Sequence, residues 1–240
     1  MLPIYWIQHP FFEQYKIQPN KAWPWLDTKQ HVRDEFKKLS LKSIKLTSIN
    51  LFILLPLMSA MKIWLAHVTG LENPNAFLID EEHWPNPFQN VINLSSMVVL
   101  HEFGFYMTHK MMHTYPSLYK YHKIHHEYKM NTTLASQHNH PIDFILSIGA
   151  PAMLAVTVVR PHMITLFQFT VWTMVANLDD HVGYAFPWSP VRWFVPLAAA
   201  TDEHEFHHSI NLGCYASKLS IFNSLFGGYE YYNKKKTKSL

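Results

Sequence analysis

The sequence predicts an all-α protein, an integral membrane helical bundle of about four transmembrane helices with a histidine-rich cap on its cytosolic side. Three features predict it. Apolar residues are clumped into four stretches, basic residues alternate between the loops, and eight of the seventeen histidines fall in three short groups at helical spacing.

Residues 1–47 read as an N-terminal cytosolic or interfacial arm. It contains KIQPNKAWPW and then DTKQHVRDEFKKLSLK, which suits a helix lying on a membrane surface or a solvated helical face. Its first twelve residues are broken by Pro3, His9 and Pro10, so no signal peptide is expected. Residues 48–233 form the main domain. The stretch 49–68, NLFILLPLMSAMKIWLAHV after its first isoleucine, is long enough to cross a hydrocarbon core of about 30 Å. The stretch 91–108 is weaker, because it carries Asn93, Ser95, Ser96, His101 and Glu102. The stretches 142–159 and 163–177 are joined by Arg160-Pro161, which reads as a tight turn. Both are short, so they either span or re-enter.

Charge supports four crossings. The first 47 residues hold eight Lys or Arg, whereas 69–90 hold none and contain Glu72, Asp80, Glu81 and Glu82. Lys110, Lys120, Lys123 and Lys129 follow the second stretch, and Arg192, Lys218 and KKKTK follow the fourth. The positive-inside pattern then places both termini in the cytosol. Residues 234–240 form a basic tail, in which Lys236 and Lys238 fit a dilysine endoplasmic-reticulum retrieval signal or a solvated tail equally well.

Composition removes several classes of function. A net charge of +3 without a basic, aromatic-interleaved stripe excludes nucleic acid as a partner. One cysteine, Cys214, excludes an internal disulfide framework and a cysteine-rich zinc site.

The histidines carry the chemistry. HKMMH gives His109 and His113, HKIHH gives His122, His125 and His126, and HEFHH gives His204, His207 and His208. Residues three or four apart on a helix share a face, so each group can aim at a common centre. Neighbours within the i, i+3, i+4 triples diverge by about 100°, which points to two metals. A structural zinc needs only four ligands, and nitrogen-rich ligation leaves iron, copper, nickel and zinc open. His181 and His140 are further candidate ligands, with His138 behind them. His101 reads as a packing residue, and His9, His31, His67, His83 and His162 as structural. Glu102 and Asp179 are the leading carboxylates to orient ligand imidazoles, ahead of Asp180, Asp202, Glu203 and Glu205.

At these motifs the chain resembles the fatty acid hydroxylase (sterol desaturase) superfamily, whose H-x-x-x-H, H-x-x-H-H and late H-x-x-H-H boxes are matched in order over roughly 88–230. NHPID, GYAFPWSP, HEFHH and GCYASKLSIFNSLFGG are most similar to the sterol 4-methyl oxidases, or methylsterol monooxygenases. LDDHVGYAFPWSP followed by RWFVP also resembles sphingoid-base hydroxylases. His101-Glu102 stands where the family has two acids, and Lys110 where it has arginine. The resemblance implies two iron ions per chain and dioxygen-dependent hydroxylation of a lipid C–H bond, above all the 4-methyl group of a sterol. Sphingoid-base or fatty acyl hydroxylation and sterol desaturation are its alternatives. It implies electrons from an NADH- or NADPH-dependent reductase through a b-type cytochrome, and an endoplasmic-reticulum membrane setting. Lateral entry of lipid would follow Phe105, Tyr106, Met107, Trp172, Phe186 and Trp188. A membrane metal-transport or metal-binding protein is the reading from another class, but its ligands belong near the bilayer midplane, and these lie beyond the apolar segments.

Overall fold

The computed structural model describes residues 4–70, 84–189, 191, 201–230 and 232–233, and the regular structure among them is helical apart from isolated bridge positions, such as the antiparallel bridge between Lys16 and Tyr184. Glu72, Asp80, Glu81, Glu82, His83, Arg192 and the tail 234–240 lie outside the described residues, and with them the acidic loop, RWFVP and the dilysine pattern.

Two short helices, α1 (Ile4–Ile7) and α2 (Pro10–Glu13), open the arm. It lies against 182–188 through Ile17 N–H to Gly183 O, Ala185 N–H to Tyr15 O and Tyr5 Oη–H to Val182 O. Tyr5, Trp23, Met130, Val182 and Tyr184 make a buried cluster there, with Trp25 stacked on Trp23. Aromatics supply large contact area at low entropic cost, which lets an irregular arm hold one position.

The next element runs across the expected boundary at residue 47. α3 (Gln30–Ile49), a π turn at Asn50–Leu54 and α4 (Leu55–Thr69) form one continuous rod of 40 residues. No glycine or proline interrupts 30–55, so nothing in the sequence stops the helix where its composition changes. The rod is held at the junction by two buried polar residues. Ser43 Oγ meets Tyr128 Oη and His138 Nδ1 at 2.7 and 2.8 Å, and Asn50 Nδ2 donates to Asn139 O at 2.9 Å.

Prolines and side-chain caps set the later helix starts. Asn86 accepts from Phe88 N and Pro87 occupies the first turn of α5 (Pro87–Thr114). Pro116 ends α5 and begins α6 (Pro116–His122). His140 caps α7 (Pro141–Asp143), which continues through a π turn at Phe144–Gly149 into α8 (Ala150–Val159). Arg160 takes the left-handed conformation (φ 50°), and His162 caps α9 (Met163–Asp180), so Arg160-Pro161 is the expected turn. α10 (Thr201–Ile210) and α11 (Ile221–Phe226) complete the chain.

α5, α8 and α9 pack around Met97, Ala155, Val156 and Phe169. Gly104 permits the close approach of α5 to α8: a Cβ there would stand 3.2 Å from Pro151 Cβ. The outer faces remain apolar and exposed, with Phe52 at 78 %, Phe88 at 75 % and Phe167 at 68 %. Among the described residues, two helices are long and apolar enough to cross a membrane, Gln30–Thr69 and Pro141–Val159.

Gly183 joins the arm to the segment beside His181. Its φ is +74°, and a Cβ there would come within 2.7 Å of Asn131 O and 2.9 Å of the Trp23 ring. Gly183→Ala is therefore expected to cost roughly 1–3 kcal/mol of stability, read as a lower thermal midpoint by tryptophan fluorescence. An unchanged midpoint would show that the arm does not depend on this approach.

Candidate metal centre

Nine histidines converge from four parts of the chain into two adjoining groups. His109, His113, His122, His126 and His207 form one, and His125, His181, His204 and His208 the other, with one ring nitrogen of each member within 4.8 Å of the rest of its group. α5 supplies the first pair, α6 and the 3-10 turn after it supply the second motif, the end of α9 supplies His181, and α10 supplies the third motif. The divergence within each triple is realised. His122 and His126 face one group and His125 the other, while His204 and His208 face one and His207 the other. The groups touch where the ring centroids of His126 and His208 lie 4.7 Å apart.

Hydrogen bonds fix which nitrogen each ring offers. His109 Nδ1–H donates to Tyr215 O at 2.7 Å, His181 to Asn177 O at 2.8 Å and His207 to Gly213 O at 2.6 Å. A carbonyl only accepts, so Nδ1 carries the proton and Nε2 keeps its lone pair inward. His122 Nδ1 lies 3.1 Å from both Asp143 oxygens. Inside the groups, Nε2 atoms approach one another: His126 to His122 at 3.0 Å and to His113 at 3.2 Å, and His181 to His204 at 2.9 Å. Ligands about 2.1 Å from one ion would be separated by ~3.0–3.4 Å, so these spacings suit the edges of a coordination shell.

Burial makes the same point energetically. Seven ring nitrogens, on His109, His125, His126, His204, His207 and His208, are buried with no hydrogen-bond partner among the described residues. At about 1–3 kcal/mol for each unsatisfied buried group, the sum rivals the stability of a whole domain. Of these, His109 Nε2 and His207 Nε2 are the nitrogens turned inward, where metal ions would use their lone pairs, and the all-imidazole donor set fits a transition metal. Burial also pushes the imidazoles towards the neutral, ligating form. It lowers His181 and His207 to about 3, with backbone carbonyl acceptors opposing it, and it lowers His109, His113, His125, His126, His204 and His208 well below the ordinary imidazole value with help from neighbouring histidines.

The remaining sequence candidates divide. His140 lies outside both groups: its Nδ1 accepts from Ile142 N at 3.1 Å, and its ring rests on Tyr121. His9 and His162 cap helices in the same way, so a histidine beside proline here is a capping residue. His138 is enclosed by Ser43 and Glu127. Glu102 accepts from the backbone N–H of Lys218 at 2.7 Å and Leu219 at 3.3 Å, and contacts His101. It thereby holds the segment whose Tyr215 carbonyl orients His109. Asp179 accepts from Ser189 and Thr201, tying the end of α9 to the start of α10. Asp143, not among the expected carboxylates, makes the direct contact to a clustered ring. Its signal was a carboxylate at the entry of an apolar stretch, where only a buried partner justifies it.

A cavity of about 130 Å³ adjoins the histidines, lined by His109, His122, His125, His181 and His204 on one side. Phe105, Ile148, Ala152, Phe169 and Met174 form its apolar wall. Of the six expected wall residues, Phe105 lines it. Tyr106 packs against Phe222, Trp188 stacks on Phe11 of the arm and Phe186 meets Tyr15 edge to face, because adjacent positions on a helix or loop face different ways.

A family model for fatty acid hydroxylases matches residues 94–228, a range that contains all nine clustered histidines. The chain belongs to this family. Among curated relatives of this fatty acid hydroxylase family member, a very-long-chain aldehyde decarbonylase of Oryza sativa subsp. indica is 37% identical over 58% of this chain and 52% of its own. Methylsterol monooxygenase 2-1 of Arabidopsis thaliana is 31% identical over 67% of this chain and 64% of its own. A candidate methylsterol monooxygenase of Dictyostelium discoideum is 28% identical over 96% of this chain and 79% of its own. The chain thus spans about half the length of the rice relative. No solved structure matches it. The family is one of iron-dependent oxidoreductases, and the two histidine groups suit that class.

Two outcomes are expected. Asp143→Asn removes the charge that orients His122 and should weaken metal retention about 10–100-fold in competition with a chelator; unchanged retention would remove Asp143 from the centre. Histidines with folded pKa values below ~6.5 give their stability in full above that pH. As pH falls from ~6.5 towards 3 the unfolded chain takes up protons first, so the metal-free protein should lose stability cooperatively over that window. Denaturation midpoints measured across pH 7 to 4 would reveal a flat profile if burial were not the cause.

Proposed function

We propose that this chain is a membrane-embedded di-iron oxygenase that hydroxylates a lipid C–H bond, with the 4-methyl group of a sterol as its position of attack. The observation that carries this is the pair of adjoining imidazole groups opening on a cavity with an apolar far wall. Each group would hold one ion, His109, His113, His122, His126 and His207 one and His125, His181, His204 and His208 the other. The bound iron would supply activation of dioxygen with electrons from an NAD(P)H-dependent reductase and a b-type cytochrome.

The protein's own residues do the rest. Backbone carbonyls at Tyr215, Asn177 and Gly213 and the Asp143 carboxylate hold the rings in one tautomer and direction. Phe105, Ile148, Ala152 and Phe169 exclude water beside the reacting carbon. Met174 lines the cavity yet is 54 % exposed on the outer face of α9, which supports lateral entry of lipid at that point. Four crossings would set this face and those of α4, α5 and α8 in the bilayer, with both termini and the cap on the cytosolic side of the endoplasmic reticulum. The domain would begin near residue 48, with the arm before it and the basic tail 234–240 after it.

The methylsterol monooxygenase names among the relatives favour the sterol substrate. The rice relative's name favours a second reading, the same metal centre acting on a long-chain aldehyde. Cells lacking the protein should accumulate 4-methyl sterols, and purified protein should convert them only with NAD(P)H, reductase and dioxygen present. His109→Ala and His204→Ala should each abolish conversion and roughly halve bound iron. Unchanged sterols together with accumulated long-chain aldehydes would replace the sterol reading with the second.

A further inference from the structure

Among the described residues Lys218 is the one lysine or arginine on the cavity wall, and it belongs to neither histidine group. It is only 6 % exposed. Its Nζ lies 2.5 Å from Ser217 Oγ and 3.2 Å from Asp180 Oδ2, and Ser217 Oγ donates to that same oxygen at 2.6 Å. Its backbone N–H is held by Glu102, so both ends of the residue are fixed. A buried ion pair of this kind costs desolvation that well-packed apolar side chains would avoid, and so is weak evidence of stabilisation alone. The ammonium has three N–H donors, and these partners take two. Among the described residues no partner takes the third, which leaves it for the cavity.

Among the other polar groups on the wall, two are engaged elsewhere and the Gln137 amide is neutral. Ser147 Oγ donates to Asp143, and Asn177 Nδ2 donates to Ser136 O. Asn139 Nδ2 is buried and unpartnered among the described residues, but it is neutral. The cavity is therefore apolar on the side of Ile148, Ala152, Phe169 and Met174, and it offers a positioned cation beside His181 and His204. A hydrocarbon group alone would leave that donor without a partner.

We propose that Lys218 reads an oxygen-bearing substituent of the lipid and so places the neighbouring carbon against the metal groups. This rests on the lipid-oxygenase reading above and sharpens it. The substrate class is a lipid whose reacting carbon lies within a few bonds of a hydroxyl, carbonyl or carboxylate. In a sterol the 3-hydroxyl fits, because its carbon adjoins the one that bears the 4-methyl group.

The test uses paired ligands with the full chain in lipid nanodiscs. Binding of a 4-methyl sterol and of its 3-deoxy analogue is measured on the metal-free protein, alongside turnover by the iron-loaded protein. A hydrogen bond from a charged donor predicts a preference of about 10- to 100-fold for the hydroxylated sterol. Lys218→Met, and Lys218→Met with Asp180→Asn to avoid a stranded carboxylate, should reduce the preference below about 3-fold while the deoxy analogue still binds. A preference retained in either folded variant overturns the proposal and passes the role to Asn139. The wild-type comparison needs no variant, so equal binding of the two sterols also overturns it. If neither sterol binds, a long-chain primary alcohol and the alkane of equal length take their place. A Lys218-dependent preference there upholds Lys218 and rejects the sterol substrate, and no preference there rejects Lys218 itself.

Discussion

The fold is organised around one physical problem, the burial of nine imidazoles against one another. Neutral rings removed from water each keep a donor and an acceptor that must be matched. The chain satisfies one nitrogen of His109, His122, His181 and His207 with a carbonyl or carboxylate and turns the other inward. That choice determines much of the remaining architecture. The acceptors come from the loop after α10, the end of α9 and the first turn of α7, so those segments must meet over α5.

The helices bend to make that meeting possible. A π turn follows Asp143 directly, and Ser147 within it donates to the same carboxylate that faces His122. A second π turn begins at Asn50, the residue that fastens the long rod to Asn139. Both irregularities sit where an apolar helix passes into the polar cap, and each accompanies a buried polar contact. π turns are often found at functional positions, and these two show a local cause: the side chain held at the junction sets the helix phase.

How much of this was legible depends on which force acts at each residue. The three histidine boxes were readable because helical spacing alone decides which rings can share a centre, and the 1:2 split within each triple follows from the same geometry. His181 was readable from its position after an apolar stretch. Asp143 was missed because its neighbour in space, His122, lies twenty-one positions away and nothing local marks the pairing. The substrate wall was misjudged for a related reason. Aromatic character near the boxes says that a residue is buried, not which way it faces, and Tyr106 beside Phe105 turns into a different cluster. The change from charged to apolar side chains near residue 47 is plain in composition, and the helix over 30–69 runs through it because backbone continuity does not depend on that change.

The carbonyls of Gly213 and Tyr215 belong to a segment translated after every histidine of both groups, and the third box itself arrives only at 204–208. The first two boxes, at 109–126, therefore precede by more than seventy positions the rings and acceptors that close both groups. Closure of both groups thus waits on residues that follow the third box.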